Sequence, residues 1–283
     1  MMLKNIIVFM VVSFFTTQAF ACVGDQATAS KSYSVYVVPQ LPPPVTFARW
    51  TPVLDAVGKK SGLCFDLFVT PGIPEFESKF KQGVPDFAFM NPYHQVMAYD
   101  AKGYIPLIAD SRTKLQGLIL VKSDSAILDI KELNGKKIGF PSPNAFAATL
   151  LIRSILTKEG IEFEPVYVKT HSNVYRAIIV GDVAAGGAVN NTLVREPPEI
   201  KDRLKVLYRT PVFMAHPLSA NPRVAPEIRE KVIEAFIELG RTESGQKILD
   251  EIQIPEPTRV DYKTDYLPLE KLGVGKFVVH GSD

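Results

Sequence analysis

The sequence predicts an α/β fold built on largely parallel sheets. Short runs rich in β-branched and aromatic residues alternate with longer runs in which apolar residues recur at helical spacing. Glycines follow several of the helical runs, as left-handed C-terminal caps do. A chain of 283 residues is long enough for two medium-sized domains. Strand–helix alternation at this length is typical of parallel sheets covered by helices.

The predicted elements follow one another with short connections. The strand candidates are residues 33–38, 64–69, 86–90, 105–109, 118–122, 137–140, 166–169, 184–189 and 204–208. The helix candidates are residues 53–60, 75–82, 93–101, 145–159, 174–180 and 226–239. In the last of these, Ile228, Val232 and Phe236 recur every four residues, which marks one buried face. Gly186-Gly187, near the end of a strand, indicates a close backbone approach.

Two segments interrupt the alternation and divide the chain. Residues 116–122 form a strand that follows no clear helix, and residues 213–220 are an irregular apolar stretch. We interpret them as parts of two crossing segments, near residues 109–116 and 208–218, that join two lobes. The first lobe then comprises residues 33–112 plus 216–283, and the second comprises residues 113–215.

Composition limits the classes of function. Hydrophobic residues make up 46% of the chain and charged residues 22%, as in an ordinary globular protein. The formal net charge of +2 is too small for a protein that binds the phosphate backbone of nucleic acids, so we expect no such partner. The sequence has no nucleophile elbow, phosphate-binding loop or dinucleotide-binding glycine motif, so we expect no enzymatic activity and no cofactor.

The N-terminus has the pattern of an export signal. Lys4 precedes the apolar residues 6–15, and Ala19-Phe20-Ala21 has small residues at both cleavage positions. We therefore predict a signal peptide over residues 1–21 and an exported mature protein that is soluble or tethered only at its end. The apolar run is too short to span a bilayer as a permanent helix.

The sequence contains two cysteines, Cys22 and Cys64. Cys22 follows the predicted cleavage site, so it either carries a lipid anchor or forms a disulfide with Cys64 in an oxidising compartment. Phe20 argues against the lipoprotein motif, but both alternatives stay open at this point. Two cysteines and four histidines without short-range pairing predict no metal site.

Four turns that follow predicted strands carry side chains suited to a ligand. In open α/β sheets, ligands bind beyond the carboxyl ends of the strands, and helix N-termini attract anions. Helix capping alone accounts for Asn, Ser and Thr in such turns, but it does not require aromatic rings or imidazoles. The predicted cleft residues are Asn91, Tyr93, Asn144, Ala145, Phe146, His171, Ser172, Asn173 and Asn190.

Each group in the predicted cleft has a distinct role. Residues 144–146 offer backbone N–H groups at the start of a long helix. His171 donates a hydrogen bond to the bound anion, or a full charge if the anion raises its pKa. Tyr93 closes the pocket from the first lobe and offers a hydroxyl donor. His94 and His171 are the base candidates that an enzyme would need there. His216 is interpreted as a structural residue of a crossing segment, and His280 as an exposed one.

Motifs along nearly the whole mature chain resemble one family. In order they are Trp50-Thr51-Pro52, residues 83–88, Asn91-Pro92-Tyr93, residues 116–121 with Ser123-Asp124-Ser125, residues 129–136, His171-Ser172-Asn173 and residues 181–186. They resemble the phosphate, phosphite and phosphonate-binding proteins of ABC transporters. Where well-studied members carry Ser-Thr-Ser, this chain has Asn144-Ala145-Phe146-Ala147-Ala148-Thr149, and Asn173 replaces an acidic residue.

The resemblance implies a fold, a function and partners. It implies a two-lobed periplasmic binding protein of type II, in which each lobe is a mostly parallel sheet flanked by helices. The implied function is that of a monomeric solute-binding protein, which takes a small oxyanion into the interlobe cleft and delivers it to an ABC permease. The alternative is a sensory protein that presents its ligand to a membrane receptor kinase. Apart from the permease or receptor, we expect contact with the membrane only if Cys22 carries a lipid anchor.

Overall fold

A computed structural model describes residues 22–279, so the predicted signal peptide and His280 lie outside the described residues. The described strands are β1 (Val23–Gly24), β2 (Ser32–Val37), β3 (Cys64–Val69), β4 (Phe87–Phe89), β5 (Ile105–Asp110), β6 (Leu115–Lys122), β7 (Lys136–Phe140), β8 (Phe163–Tyr167), β9 (Ala185–Val189), β10 (Leu204–Phe213), β11 (Leu218–Ala220) and β12 (Pro257–Arg259). They form two separate sheets, one for each lobe.

The helices cover the two sheets. They are α1 (Pro43–Ser61), α2 (Ile73–Gln82), α3 (Pro92–Lys102), α4 (Leu151–Lys158), α5 (His171–Val180), α6 (Asn190–Leu193), α7 (Pro198–Lys201), α8 (Pro226–Gly240) and α9 (Glu243–Glu251). A π-helical turn, Phe146–Leu150, leads directly into α4, and short helical turns between Tyr262 and Phe277 form a C-terminal segment. No helix in the described range is long and apolar enough to cross a bilayer.

Both sheets are mixed. The first has the strand order β1-β3-β2-β4-β11-β5-β12 and the second has the order β10-β6-β9-β7-β8. Parallel pairing joins β3, β2 and β4 in the first sheet, and β8, β7 and β9 in the second, whereas the other pairs are antiparallel. The prediction of mostly parallel sheets was therefore too simple, because the returning strands β11 and β12 and the crossing strands β6 and β10 run the other way.

The chain crosses between the sheets at two places. It leaves the first sheet after β5 and enters the second at β6, and it returns between β10 and β11. Both crossings fall in the predicted regions, and the two-lobed α/β fold with two crossing segments is confirmed. The division into residues 33–112 plus 216–283 and residues 113–215 remains our proposal for the lobe boundaries.

Several elements differ in extent from the sequence prediction. Helix α1 begins at Pro43, ten residues before the predicted start, because a proline is accepted in the first helical turn. Strand β10 continues to Phe213, because its long antiparallel pairing with β6 extends it into the crossing. The predicted helix over residues 145–159 starts with the π-helical turn.

Cys22 and Cys64 form a disulfide with a Cα–Cα distance of 5.6 Å. The bond ties the N-terminal segment to β3, where β1 pairs antiparallel. Gly24 and Gly58 allow the segment to cross α1 closely, since a Cβ on Gly58 would lie 2.5 Å from the Gly24 Cα. Of the two alternatives for Cys22, the structure has the disulfide, which occupies the sulfur that a lipid would need.

Candidate functional site

A cavity lies between the two lobes, at the carboxyl ends of the parallel strands. Its wall is formed by Val38, Pro39, Gln40, Ile73, Asn91, Leu115, Pro141, Ala145, Phe146, Ala147, Ala148, Lys169, His171, Val189 and His216. These residues follow the strands of both parallel sets or belong to the crossings. The cavity volume is about 30 Å³, which is room for about two water molecules.

The π-helical turn gives the cavity three backbone donors. The N–H groups of Phe146, Ala147 and Ala148 have no backbone acceptor within residues 22–279, because they lie in the first turn of the continuous helix that runs on into α4. The side chains of these three residues are buried in the cavity wall. Unpaired N–H groups at the start of a helix form a site for an anion.

Two glycines bring this turn close to the second sheet. A Cβ at Gly117 would clash with the carbonyl oxygen of Ala147, and a Cβ at Gly187 with that of Ala148. The backbone of the turn therefore rests directly on β6 and β9. The close backbone approach predicted from the glycine pair is confirmed at Gly187.

One hydroxyl group near the turn is used within the protein. Thr149 donates its hydroxyl hydrogen to the carbonyl oxygen of Ser142, at 2.7 Å. Since Ala145, Phe146, Ala147 and Ala148 carry no hydroxyl, the donors available here are main-chain groups.

Two buried histidines face the cavity, and both are neutral at pH 7. Burial lowers the pKa of His171 to about 4, and its Nδ1 atom has no hydrogen-bond partner in the described chain. Burial, together with the charges of His94 and His171, lowers the pKa of His216 to about 3. The Gln40 amide donates to His216 Nε2 at 3.0 Å, as a neutral ring allows. His216 therefore belongs to the cavity as well as to a crossing segment, which sequence reasoning missed.

Lys169 also belongs to the wall and was not predicted. It is an exposed residue between β8 and α5, and its backbone has a φ of 75°. Positive φ is uncommon for residues other than glycine, and such residues cluster at binding sites. Lysine has no special preference for this conformation, so no sequence signal could have identified it.

Aromatic rings close one side of the cavity. The rings of Tyr93 and Phe146 stack across the lobes with centroids 6.1 Å apart and planes 13° from parallel. Phe213 meets Phe146 edge-on at 5.4 Å. The Tyr93 hydroxyl lies next to Gly275 of the C-terminal segment, where a Cβ would be 2.8 Å away. Tyr93 therefore packs on Phe146 of the wall with its hydroxyl next to Gly275, and its role in closing the pocket stays a prediction.

The side chain of Asn144 joins the lobes. Its Nδ2 donates to Glu77 Oε2 at 3.0 Å and to the carbonyl oxygen of Val279 at 2.8 Å, and its Oδ1 accepts from the Val279 N–H at 2.9 Å. Glu77 and Val279 lie on the first-lobe side, whereas Asn144 precedes the π-helical turn of the second lobe. Asn91, which caps α3 through His94 N–H, donates to the Asn144 carbonyl oxygen at 3.5 Å.

Glu77 is a buried carboxylate in this interlobe contact. Burial opposes its ionisation, but the hydrogen bond and charge of His94, the Asn144 amide and the charge of Lys81 outweigh burial and lower its pKa. His94 donates from Nε2 to Glu77 Oε1 at 3.1 Å and is fully buried. His94 therefore serves the interlobe contact and not the cavity wall.

Three other predicted residues make contacts away from the cavity wall. Ser172 donates its hydroxyl hydrogen to Glu196 Oε1 at 2.5 Å, and Asn173 donates to the Val168 carbonyl oxygen at 2.8 Å. Asn190 accepts from the Gln116 N–H at 3.0 Å and so fixes a crossing segment. The structure brings together Asn91, Ala145, Phe146 and His171 of the predicted set, and the ligand-binding role of the whole set stays a prediction.

A second contact between the lobes is ionic. Arg195 of the second lobe lies 3.5 Å from the Asp250 carboxylate and donates to the Asp250 carbonyl oxygen. Arg112 in the first crossing pairs with the same carboxylate at 2.9 Å. These residues line a lateral opening of about 370 Å³ that shares Leu115 and His216 with the cavity. No group of three metal-ligating side chains exists in residues 22–279.

The fold and the cavity define the class of protein. Two α/β lobes, joined by two crossings and enclosing a small cavity at their strand ends, are the architecture of a type II periplasmic binding protein. A sequence profile described as "ABC transporter, phosphonate, periplasmic substrate-binding protein" matches residues 35–266, well over half of the chain. The chain belongs to this family. Its members are periplasmic substrate-binding components of transporters and not enzymes.

Relatives and solved structures agree with the family. The chain is 22% identical over 245 residues to the phosphonates-binding periplasmic protein of Escherichia coli (strain K12), covering 81% of this chain and 72% of that protein. PhnD1 from Prochlorococcus marinus (MIT 9301), in complex with methylphosphonate, superposes with a TM-score of 0.78 at 16% identity, covering 87% of this chain and 98% of that one. A binding protein component of an ABC phosphonate transporter from Pseudomonas aeruginosa has a TM-score of 0.74 at 17% identity, with 85% of each chain covered.

Proposed function

We propose that the chain captures a small phosphonate, or a related oxyanion, in the cavity between its lobes and delivers it to an ABC permease. The observation that carries the proposal is the row of unpaired N–H groups of Phe146, Ala147 and Ala148 in the cavity wall. Buried N–H groups need a partner, and an anionic oxygen is a strong one.

The wall favours an anion with a small apolar substituent. Among the wall residues, Lys169 carries a permanent positive charge and none is acidic. Apolar surface in the same wall is provided by Ile73, Leu115, Val38 and Val189. A carboxylate to bind an aminoalkyl group is not part of this wall. Methylphosphonate, which is bound by the Prochlorococcus relative, has the required chemistry.

Binding requires movement of the lobes. A cavity of about 30 Å³ is smaller than a phosphonate group, so the lobes have to separate and close again around the ligand. The two crossings provide the hinge, and the contacts of Asn144 and Asp250 form when the lobes meet. A sensory role is not favoured, since the family match is to transport components.

The test is calorimetric titration of the mature protein with methylphosphonate, phosphate, phosphite and, as an uncharged control, glycerol. We expect binding of the oxyanions and none of glycerol. His171→Ala should weaken binding by about tenfold to a hundredfold, because a hydrogen bond to a charged group contributes about 1.5–3 kcal/mol. Asn134→Ala is the control, since Asn134 lies outside the wall and its side chain accepts from the Glu162 N–H within the second lobe. Failure of every oxyanion to bind would contradict the proposal.

A further inference from the structure

Lys169 occupies a tight turn that is fixed on both sides. The Thr170 N–H donates to the Val168 carbonyl oxygen at 3.0 Å, which closes a γ-turn around Lys169. The Val168 N–H is bound to Phe140 of β7 at 2.9 Å, and the Thr170 side chain caps α5 by accepting from the Asn173 N–H at 3.2 Å. The positive φ of Lys169 is therefore imposed by its surroundings.

The turn itself does not require a lysine, because a glycine would fit its strained conformation better. Glycine adopts a positive φ without steric cost, whereas a lysine there costs free energy. The other residue with this property in the described chain, apart from glycines, is Gln253, which is hydrogen-bonded to Asn191 across the lobes at 2.5 Å. Lys169 has no such partner, as no carboxylate in residues 22–279 lies within ion-pair distance of it.

The balance of charge in the wall gives the lysine a function. Unpaired N–H dipoles carry only partial charge, and the Thr149 hydroxyl is occupied by Ser142. His171 and His216 face the cavity in their neutral form. A second negative charge on a bound ligand is therefore matched by Lys169 alone among the wall residues.

We propose that Lys169 is the specificity-determining residue that makes the cavity select doubly charged oxyanions over singly charged ones. This inference rests on the proposed function. Lys169 is an exposed residue of the cavity wall, and its ammonium group contacts the anion as the lobes close. It supplies the full positive charge that the other wall residues lack.

The experiment compares variants at position 169 in the mature, disulfide-bonded protein. Affinity for methylphosphonate is measured by calorimetry below and above the second pKa of the phosphonate group. In the wild type we expect affinity to rise when the second proton is lost. Lys169→Gln should bind the dianion about tenfold more weakly and lose most of this rise, whereas Lys169→Arg should keep both.

Two further variants distinguish the effect of the Lys169 ammonium group from the effect of backbone strain and from that of the protein's net charge. Lys169→Gly relaxes the turn and removes the ammonium, so we expect a melting temperature at least as high as the wild type's together with the same loss of affinity as in Lys169→Gln. Lys158→Gln makes the same change in net charge at the far end of α4. Lys158 follows Ala148 by ten residues, which corresponds to about 15 Å along the helix. This distance exceeds the Debye length of about 8 Å at physiological salt. This control should bind like the wild type.

Each outcome decides between the two proposals. If the wild type binds methylphosphonate but Lys169→Gln or Lys169→Gly retains the affinity and its rise with pH, the role of Lys169 is refuted and the proposed function stands. The same holds if Lys158→Gln loses as much affinity as Lys169→Gln. If the wild type binds none of the oxyanions, the proposed function falls and the role of Lys169 falls with it.

Discussion

Replacement of Asn144 by alanine removes the most extensive side-chain contact between the lobes. The two hydrogen bonds with Val279 contribute about 1 kcal/mol each, and the bond to the Glu77 carboxylate about 2 kcal/mol. Neighbouring bonds are not additive, so we take about 3 kcal/mol for the loss in the closed form. At about 1.4 kcal/mol for each factor of ten, the equilibrium between closed and open forms shifts about a hundredfold toward open.

Small-angle X-ray scattering and calorimetry measure this shift. We expect Asn144→Ala to have a larger radius of gyration than the wild type at the same sub-saturating concentration of methylphosphonate, and a correspondingly weaker affinity. Asn134→Ala is the matched control, because the Asn134 side chain accepts from the Glu162 N–H at 2.9 Å within the second lobe. An Asn144→Ala variant with unchanged scattering and unchanged affinity would refute the role of Asn144 as an interlobe contact.

Three further predictions follow from the same structure. Gly187→Ala places a methyl group against the backbone of the π-helical turn, so we expect loss of methylphosphonate binding in calorimetry while circular dichroism shows a folded protein. His171 and His216 have pKa values lowered to about 4 and about 3, below the unfolded value of about 6.5. Their contribution to stability is complete above pH 6.5 and is lost as the pH falls toward 4. Urea unfolding should therefore show about 2 kcal/mol less stability per histidine at pH 5 than at pH 7. Replacing either histidine by Phe should reduce this pH dependence. Reduction of the Cys22–Cys64 disulfide, which closes a loop of 42 residues, should lower the free energy of unfolding by about 4 kcal/mol; a diacylglycerol adduct on Cys22 in the mass spectrum of the native protein would contradict the disulfide.

The fold could be predicted because it depends on local patterns, and the same patterns underlie the position of the proposed site. Turns that follow parallel strands must gather at one edge of a sheet, so Asn91, Phe146 and His171 could be placed together from sequence order alone. The glycine pair, which lies within β9, indicated a close backbone approach, and the structure places the Ala148 carbonyl oxygen against Gly187. Antiparallel strands such as β11 escaped prediction, since three residues carry too little periodicity to be recognised.

Residues whose roles depend on distant partners could not be assigned from sequence. Residues 144–146 were predicted to offer backbone N–H groups, but the interlobe role of the Asn144 side chain depends on Val279, 135 residues away. His216 was placed correctly in a crossing, yet its hydrogen bond with Gln40, 176 residues earlier, could not be read from the sequence. Ser172 and Asn173 had the expected chemistry at a helix start, but the direction of that helix turns them to Glu196 and to their own backbone.

The contacts at the rim of the cleft affect how ligand binding and lobe closure are coupled. The hydrogen bonds of Asn144 and the ion pairs of Asp250 join protein groups directly, so part of the free energy of closure comes from the protein itself. A ligand shifts the equilibrium only by the difference between its affinities for the closed and the open form. Contacts that stabilise closure therefore raise the apparent affinity for every ligand that fits, without distinguishing among them. Under the proposed function, selectivity therefore arises inside the cavity, from the N–H groups of the π-helical turn and from the charge at its wall.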